Sequence, residues 1–216
     1  MDAALWVSKT GLDAQQTRMN VISNNLANVS TTGFKRDRAV FEDLLYQNIR
    51  QAGGQTTANT QSPTGLMLGT GTKVVATEKL HIQGNLINSQ NPLDVAIMGD
   101  GFFQIQQQDG TMSVELVGGQ GQQVLGQIQI AKFINPSGLK PLGNNLLAAT
   151  ASSGPVQLLQ PGTVGAGVLN QGSLEASNVN VVEEMVNMIE TQRAYEINSK
   201  AISAVDGMLK FLNQNV

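Results

Sequence analysis

Few side chains in this sequence could carry out chemistry. The chain of 216 residues contains one histidine, His81, and no cysteine, so disulfides and thiolate metal sites are excluded. A lone histidine in a strand-like segment is more typical of ordinary structure than of a metal ligand or a general base. The carboxylates of Asp94, Asp100 and Asp109 lie near predicted turns, where aspartate is common for conformational reasons. None of these residues is predicted to be catalytic.

Motifs that bind phosphate or supply a nucleophile are incomplete or missing. Residues 65–73, GLMLGTGTK, have the glycines of a phosphate-binding loop but lack its Gly-Lys-Ser/Thr ending. No Gly-x-Ser-x-Gly elbow occurs. An acid/base pair of carboxylates stays open as an alternative, although the sequence nominates none. We therefore predict a protein that is not an enzyme and that has no catalytic, cofactor-binding or metal site.

The composition and charge of the chain argue against nucleic acid and membranes as partners. The chain is 13% charged and 4% aromatic, and its net charge of -3 gives no basic surface for nucleic acid. The short cluster Lys35, Arg36 and Arg38 is predicted to be a solvated helix exit or loop. No segment approaches the roughly 20 apolar residues that span a bilayer, so no membrane insertion is expected. The start, MDAALWVSKT, lacks the pattern of a secretory signal, so any export is expected to occur without a cleaved signal peptide.

The N-terminal segment is predicted to form a helix with one narrow apolar seam. Four residues recur every seven positions: Leu5, Leu12, Met19 and Leu26. Ile22 and Val29 lie beside the later ones. This spacing keeps side chains on one line of a helix that winds slightly around a partner. Gly33 is expected to follow the end of the helix, because glycine is common just past a helix C-terminus.

The C-terminal segment is predicted to form a longer helix of the same kind. Its seam recurs every seven positions: Val181, Met188, Tyr195, Ile202 and Leu209. Asn180 is expected to cap this helix, with Glu183 and Glu184 adding negative charge to its first turn. A helix over residues 180–212 would be roughly 50 Å long at 1.5 Å per residue.

Between the helices the apolar pattern changes to a period of two. Val95 and Ile97 precede a glycine turn at residues 99–101, and Phe103 and Ile105 follow it, which indicates two strands. Prolines and glycines divide the rest into short β segments. The predicted fold class is α+β, with the terminal helices forming a coiled-coil-like layer and a β-rich domain inserted between them.

Two interpretations of the terminal seams are open. The helices could form an antiparallel pair packed on the chain's own β domain, or their seams could pack against other molecules. Two narrow seams that bury one another leave no surface for the β-rich middle, which favours contacts with neighbouring copies.

Residues 24–35, NNLANVSTTGFK, resemble the N-terminal signature of the flagellar rod and hook family of axial proteins. Residues 177–209 resemble the C-terminal signature of the family. Residues 99–110 match its middle element, and residues 124–154 resemble its later β segments. The signature positions carried by the two ends are Asn25, Asn28, Gly33, Phe34, Gln192, Arg193, Ala194 and Tyr195.

Residues 39–47 and 64–86 are most similar to family members that build the distal part of the rod. The resemblance implies a rigid helical tube that transmits torque to the hook, encloses the export channel and spans the periplasm in the basal body. It implies export through the flagellum's own secretion apparatus. The implied partners are copies of the chain itself, other rod proteins and the hook protein, with surrounding ring or bushing proteins as further candidates.

The resemblance also suggests a division of the chain. Residues 1–33 with 178–216 would form the helical assembly domain, 34–70 an extended, rod-specific linker, and 71–177 a β-rich outer domain. The outer domain is expected to be shortened near residues 110–124, where part of the family pattern has no counterpart. The alternatives are a hook or proximal-rod relative, a rod-linked peptidoglycan hydrolase, and a soluble module that binds a partner through its helices.

Overall fold

A computed structural model of the chain describes residues 3–51, 53, 55–57, 60–61, 64–106, 112–115 and 128–214. Along the chain, the helices α1 (Ala3–Ala27) and α2 (Val181–Gln214) come before and after a strand-rich middle. The α+β prediction is confirmed at this level. The predicted shortening near residues 110–124 lies mostly outside the described residues.

The start of α2 is the one that its sequence predicts, whereas α1 ends at Ala27, six residues before Gly33. Oδ1 of Asn180 accepts the backbone N–H groups of Val182 (3.0 Å) and Glu183 (3.4 Å), which are without partners inside the helix. Glu183 and Glu184 lie in the first turn, where carboxylates are favoured by the helix dipole. After α1, Gly33 adopts a positive φ of 70°, which glycine reaches without steric cost.

The described strands are short. In chain order they are β1 (Asp37–Asp43), β2 (Tyr46–Arg50), β3 (Gln55–Thr57), β4 (Thr60–Gln61), β5 (Leu66–Gly69), β6 (Thr72–Lys79), β7 (Leu86–Asn88), β8 (Val95–Met98), β9 (Phe102–Gln106), β10 (Met112–Glu115), β11 (Ile130–Lys132), β12 (Lys140–Gly143), β13 (Leu146–Ala148), β14 (Gln157–Leu159), β15 (Val168–Gln171) and β16 (Ser173–Glu175). A short 3-10 helix, Pro136–Gly138, precedes β12.

The chain divides into two compact units. The first unit comprises Met1–Ser23, Arg38–Thr77 and Met185–Val216, and the second comprises Asn24–Asp37 and Glu78–Glu184. The second unit therefore includes residues 24–33 and 178–184, which the sequence analysis grouped with the terminal helices. These residues form hydrogen bonds with other parts of the second unit, as described below.

The second unit contains a six-stranded antiparallel sheet in the order β12-β13-β10-β9-β11-β14. Its core is small, and one cluster of buried side chains consists of Phe102, Ala131, Phe133, Leu139 and Leu147. The rings of Phe102 and Phe133 are 6.0 Å apart between centroids. A core with so few aromatic anchors agrees with the low aromatic content of the sequence.

The two strands predicted around the glycine turn are present, but they do not pair with each other. β8 pairs with β15, whereas β9 pairs with β10 and β11. Gly99 (φ 106°) and Gly101 (φ 139°) turn the chain from one sheet into the other. A Cβ at Gly101 would collide with Cγ2 of Ile130, so the close approach of the two segments requires glycine there.

In the first unit, β2 pairs with β5 and β3 with β4 in two-stranded ladders. Every residue of β2 and β5 is exposed. Ala14, Ile22 and Thr191 are the buried residues that the described parts of α1 and of α2 from Met185 onward place there. The first unit is therefore poorly supplied with a core of its own.

Candidate assembly site

The segment that follows α1 is joined to the segment that precedes α2. The N–H of Gly33 donates to the carbonyl of Glu175 (2.8 Å), and the N–H of Arg36 donates to Oδ1 of Asn178 (2.8 Å). Nδ2 of Asn178 donates to the carbonyls of Leu80 (2.8 Å) and Ile82 (3.0 Å). Asn178 thus ties three separate stretches of the second unit together. We define the junction as the following residues: Asn25, Gly33, Lys35, Arg36, Asp37, Leu80, Ile82, Glu175 and Asn178.

A buried ion pair lies at the centre of the junction. Nζ of Lys35 is 2.6 Å from Oε1 of Glu175, and the two side chains are 7% and 6% exposed. Lys35 also donates to the carbonyl of Ile82 (2.9 Å), and Glu175 also accepts the N–H of Gly84 (2.6 Å). The prediction that Lys35 belongs to a solvated loop was wrong. Its counter-ion lies 140 positions away in the chain, which no local pattern reveals.

Asn25 fixes the same segment from the side of α1. It is 1% exposed, its Nδ2 donates to the carbonyl of Asp37 (2.9 Å), and its Oδ1 accepts the N–H of Asp37 (2.8 Å). The amide therefore pairs with the backbone of Asp37 as a neighbouring strand would. The carboxylate of Asp37 binds Nζ of Lys79 (2.9 Å), which lies 5.0 Å from the ring centroid of Phe34.

The N-terminal signature residues lie in or next to this junction. Gly33 and Phe34 are buried, and Asn28 donates through Nδ2 to the carbonyl of Asn24 (2.9 Å) at the end of α1. Asn25 and Gly33 make the contacts described above. These side chains hold the fold of the second unit together, while any role in assembly stays a prediction.

The C-terminal signature lies in a different environment. Gln192 and Arg193 are exposed, Ala194 is half-buried, and Tyr195 is 38% exposed. Within the described chain, Arg193 makes no hydrogen bond or ion pair. The fold therefore uses the N-terminal signature much more than the C-terminal one.

The residues of the two predicted seams differ in burial. Ile22 is buried. The half-buried members are Leu5, Leu12, Met19, Leu26, Met188 and Ile202. The exposed members are Val181, Tyr195 and Leu209. Within the first unit, a Cβ on Gly11 would lie 3.0 Å from Nδ2 of Asn198, and Arg18 is 3.9 Å from Glu190. These contacts show α1 and α2 running antiparallel side by side, but they involve small and polar residues. The assembly role of the seams stays a prediction.

The paired strands β2 and β5 carry large apolar side chains on an exposed surface. Tyr46 and Ile49 are each 59% exposed, Met67 is 56% exposed, and Leu45 just before β2 is 87% exposed. An isolated two-stranded ladder is marginally stable in water. Clustered exposed apolar residues of this kind mark contact surfaces in soluble proteins.

His81 borders a cavity of about 410 Å³ in the second unit, together with Lys35, Gln83, Phe102, Phe133 and Glu175. The pKa of His81 is lowered from 6.5 to about 4, first by burial and then by the positive charges of Lys35 and Lys79. Its ring meets Phe102 edge to face at 5.3 Å, and Nδ1 has no hydrogen-bond partner among the described residues. The imidazole is neutral at neutral pH.

The described residues do not meet the requirements of a metal site or of a membrane-spanning helix. Their histidine, aspartate and glutamate side chains form no group of three that could hold a metal ion. Among the same residues, neither α1 nor α2 is long and apolar enough to cross a membrane. The contacts of Lys35, Glu175 and Asn178 join distant segments, so no local sequence pattern indicates them.

The chain is similar to proteins of the flagellar rod. Residues 5–35 match the family model described as "Flagella basal body rod protein", and residues 170–215 match "Flagellar basal body rod FlgEFG protein C-terminal". The flagellar basal-body rod protein FlgG of Buchnera aphidicola subsp. Acyrthosiphon pisum (strain APS) is 49% identical over 259 residues, which cover 99% of this chain and 100% of that protein. FlgG of Borreliella burgdorferi is 43% identical over 260 residues, covering 99% and 98%.

The flagellar hook protein FlgE of Escherichia coli (strain K12) is 47% identical over 90 residues, which cover 42% of this chain and 22% of that protein. An alignment of 259 positions with a chain of 216 residues leaves positions of the FlgG relative without a counterpart here. Their expected location near residues 110–124 stays a prediction. Similarity over nearly its whole length shows that this chain belongs to the flagellar basal-body rod protein family.

Proposed function

We propose that the chain is a structural subunit of the distal part of the flagellar rod and that it assembles with copies of itself into a rigid helical tube. The observation that carries this proposal is the similarity to FlgG proteins over 99% of the chain. A hook subunit is the second candidate, because FlgE of E. coli is 47% identical in part. That match covers only 42% of this chain, which favours the rod.

The terminal helices form the assembly domain in this proposal, as a coiled-coil-like layer. The seven-residue spacing of both seams and the side-by-side contacts of α1 and α2 support it. Burying one Leu- or Met-sized side chain stabilises by about 1.5–3 kcal/mol. Burying several such side chains can offset the translational and rotational entropy that a subunit loses on assembly. A head-to-tail contact that does not close on itself builds a filament.

The residues between 47 and 70 stiffen the tube in this proposal by packing between neighbouring subunits. The exposed apolar side chains of β2 and β5 support this role, since a neighbour would cover them. Deleting residues 47–70 should give filaments that bend more than those of the full chain. Filaments of unchanged straightness in electron micrographs would refute the stiffening role.

A tube of this kind transmits torque to the hook and encloses the export channel of the flagellum. Its partners are other rod proteins below it and the hook protein beyond it. Subunits would reach the growing end unprocessed, through the flagellum's own secretion apparatus. The sequence similarity to both rod and hook proteins supports partners from this family.

Electron microscopy of the purified chain at rising concentration tests the proposal. The full chain should form straight tubes, whereas a version without residues 1–23 and 185–216 should stay monomeric. A full chain that remains monomeric, even with preformed rod fragments as nuclei, would refute self-assembly. It would favour a soluble module that binds a different protein through its helices.

A further inference from the structure

Two strand pairs of the first unit form one ribbon with a short gap. β1 pairs with β6, and β2 pairs with β5. In the gap between the two pairs, the N–H of Leu44 donates to the carbonyl of Gly71 (2.8 Å). Tyr46 lies opposite Gly69, two residues further along both strands, so the register does not change across the gap. We call the part of the ribbon formed by β2 and β5 the arm.

Helix α1 contacts the ribbon at this gap, where Gly71 has a φ of 116°. Glycine adopts that conformation readily, whereas residues with a Cβ rarely do. A Cβ at Gly71 would also collide with Oγ1 of Thr10 on α1. The hydroxyl of Thr10 donates to the carbonyl of Val7 (2.8 Å), and its oxygen accepts the N–H of Thr72 (3.4 Å). The side chain of Thr10 is therefore held by its own helix and packs against the ribbon where both strands are interrupted.

Apolar packing beyond the gap is too sparse to fix the direction of the arm. Leu68 and Gly69 border a cavity of about 330 Å³ together with Trp6 and Val7 of α1. Trp6 is 45% exposed, and every residue of β2 and β5 is exposed. A two-stranded ladder by itself is marginally stable in water. The direction of the arm relative to α1 therefore depends on the contact at the gap.

We propose that Thr10 and Gly71 are positioning residues that set the direction of the arm along α1. The inference rests on the proposed function, in which the residues between 47 and 70 stiffen the tube by packing between neighbours. An arm held at one angle presents its apolar side chains to every neighbour in the same way, as a helical assembly of identical contacts requires. An arm that swings would lose more conformational entropy at each contact and would leave the tube more flexible.

The only tryptophan of the chain, Trp6, lies beside the arm and reports on its position. Gly71→Ala should release the arm, because it adds both backbone strain and the collision with Thr10. Acrylamide quenching of Trp6 fluorescence in the monomer should then rise towards about twice its value, since Trp6 is 45% exposed with the arm in place.

Substitutions of Thr10 test the other side of the contact. Thr10→Val should raise the quenching of Trp6 as well, because the methyl group is larger than the hydroxyl and accepts no hydrogen bond. Thr10→Ser keeps the hydroxyl and should behave like the unchanged chain. Circular dichroism of each monomer shows whether the fold is kept, and Thr10→Val supplies the test if Gly71→Ala does not fold.

The matched control is Gly143→Ala in the second unit. Gly143 also has a positive φ, of 93°, but no described atom lies within 4 Å of a Cβ there. The replacement adds backbone strain without a collision near the arm, so it should leave the quenching of Trp6 unchanged.

The stiffness of filaments in electron micrographs is the second readout. Filaments of Gly71→Ala and Thr10→Val should have a shorter persistence length than those of the unchanged chain, Thr10→Ser and Gly143→Ala. If either the quenching of Trp6 or the stiffness stays the same in both variants, or if Thr10→Ser loses as much as Thr10→Val, the positioning role is refuted while the proposed function stands. An unchanged chain that never forms filaments would refute the proposed function, and the quenching of Trp6 would still decide whether the contact at the gap holds the arm.

Discussion

Replacing Glu175 by alanine leaves the ammonium group of Lys35 buried without its counter-ion. In the folded chain Oε1 of Glu175 accepts two hydrogen bonds, from Nζ of Lys35 and the N–H of Gly84, both at 2.6 Å. The substitution removes both and leaves only the bond from Lys35 to the carbonyl of Ile82 (2.9 Å). The second unit should therefore be strongly destabilised.

The burial of the pair sets the size of the effect. Because both side chains are less than a tenth exposed, water cannot replace the lost partner without opening the junction. Removing one member of a buried ion pair costs about 3–5 kcal/mol of unfolding free energy. For a unit of this size that corresponds to a melting temperature lower by roughly 10 °C or more.

Two variants separate burial of charge from loss of shape. Lys35→Met with Glu175→Leu removes both charges and should recover most of the lost stability, since apolar replacements of a buried pair are often neutral. Glu42→Ala breaks the exposed pair of Lys73 and Glu42, 3.3 Å apart, and should cost less than about 1 kcal/mol.

Hydrogen exchange of residues 130–133 reports on the core of the second unit, and urea unfolding followed by circular dichroism gives the free energy. Glu175→Ala should accelerate exchange there, whereas Glu42→Ala should not. If Glu175→Ala costs no more than Glu42→Ala, or if the double replacement is as unstable as the single one, the argument from buried charge fails.

Three further predictions concern the second unit. The second unit should lose stability as pH falls. The pKa of His81 is about 4 in the folded chain, below its ordinary value of 6.5, so the unfolded chain binds the proton more readily. Between pH 7 and pH 5 the loss should be on the order of 1–2 kcal/mol, and His81→Gln should flatten the urea-unfolding profile in that window. Asn25→Ala should cost about 2–3 kcal/mol in the same assay because it orphans the backbone of Asp37, whereas Asn24→Ala, at an exposed position, should cost little. Asn180→Ala should cost about 1 kcal/mol and Asn180→Asp nearly nothing, so an equal loss for both would argue against the cap.

Local features were predictable from the sequence because their causes are local. The cap at Asn180 and the turn at Gly33 depend on residues within a few positions of one another, and so do the helical spacing and the resemblance to rod proteins. The change to a period of two also identified β8 and β9, since alternation reflects one strand's own two faces. The function class followed from these segments and from the absence of catalytic motifs.

Only the tertiary structure decided which distant segments meet. Lys35 was indistinguishable in sequence from a solvated lysine, because its partner Glu175 is brought to it by the whole second unit. The strands β8 and β9 were identified, yet their partners depend on sheets assembled from later residues. The seams predicted a line along each helix but could not tell which side of α2 would meet small polar groups of α1. That side depends on how two long helices pack against each other, which the residue spacing of one helix does not determine.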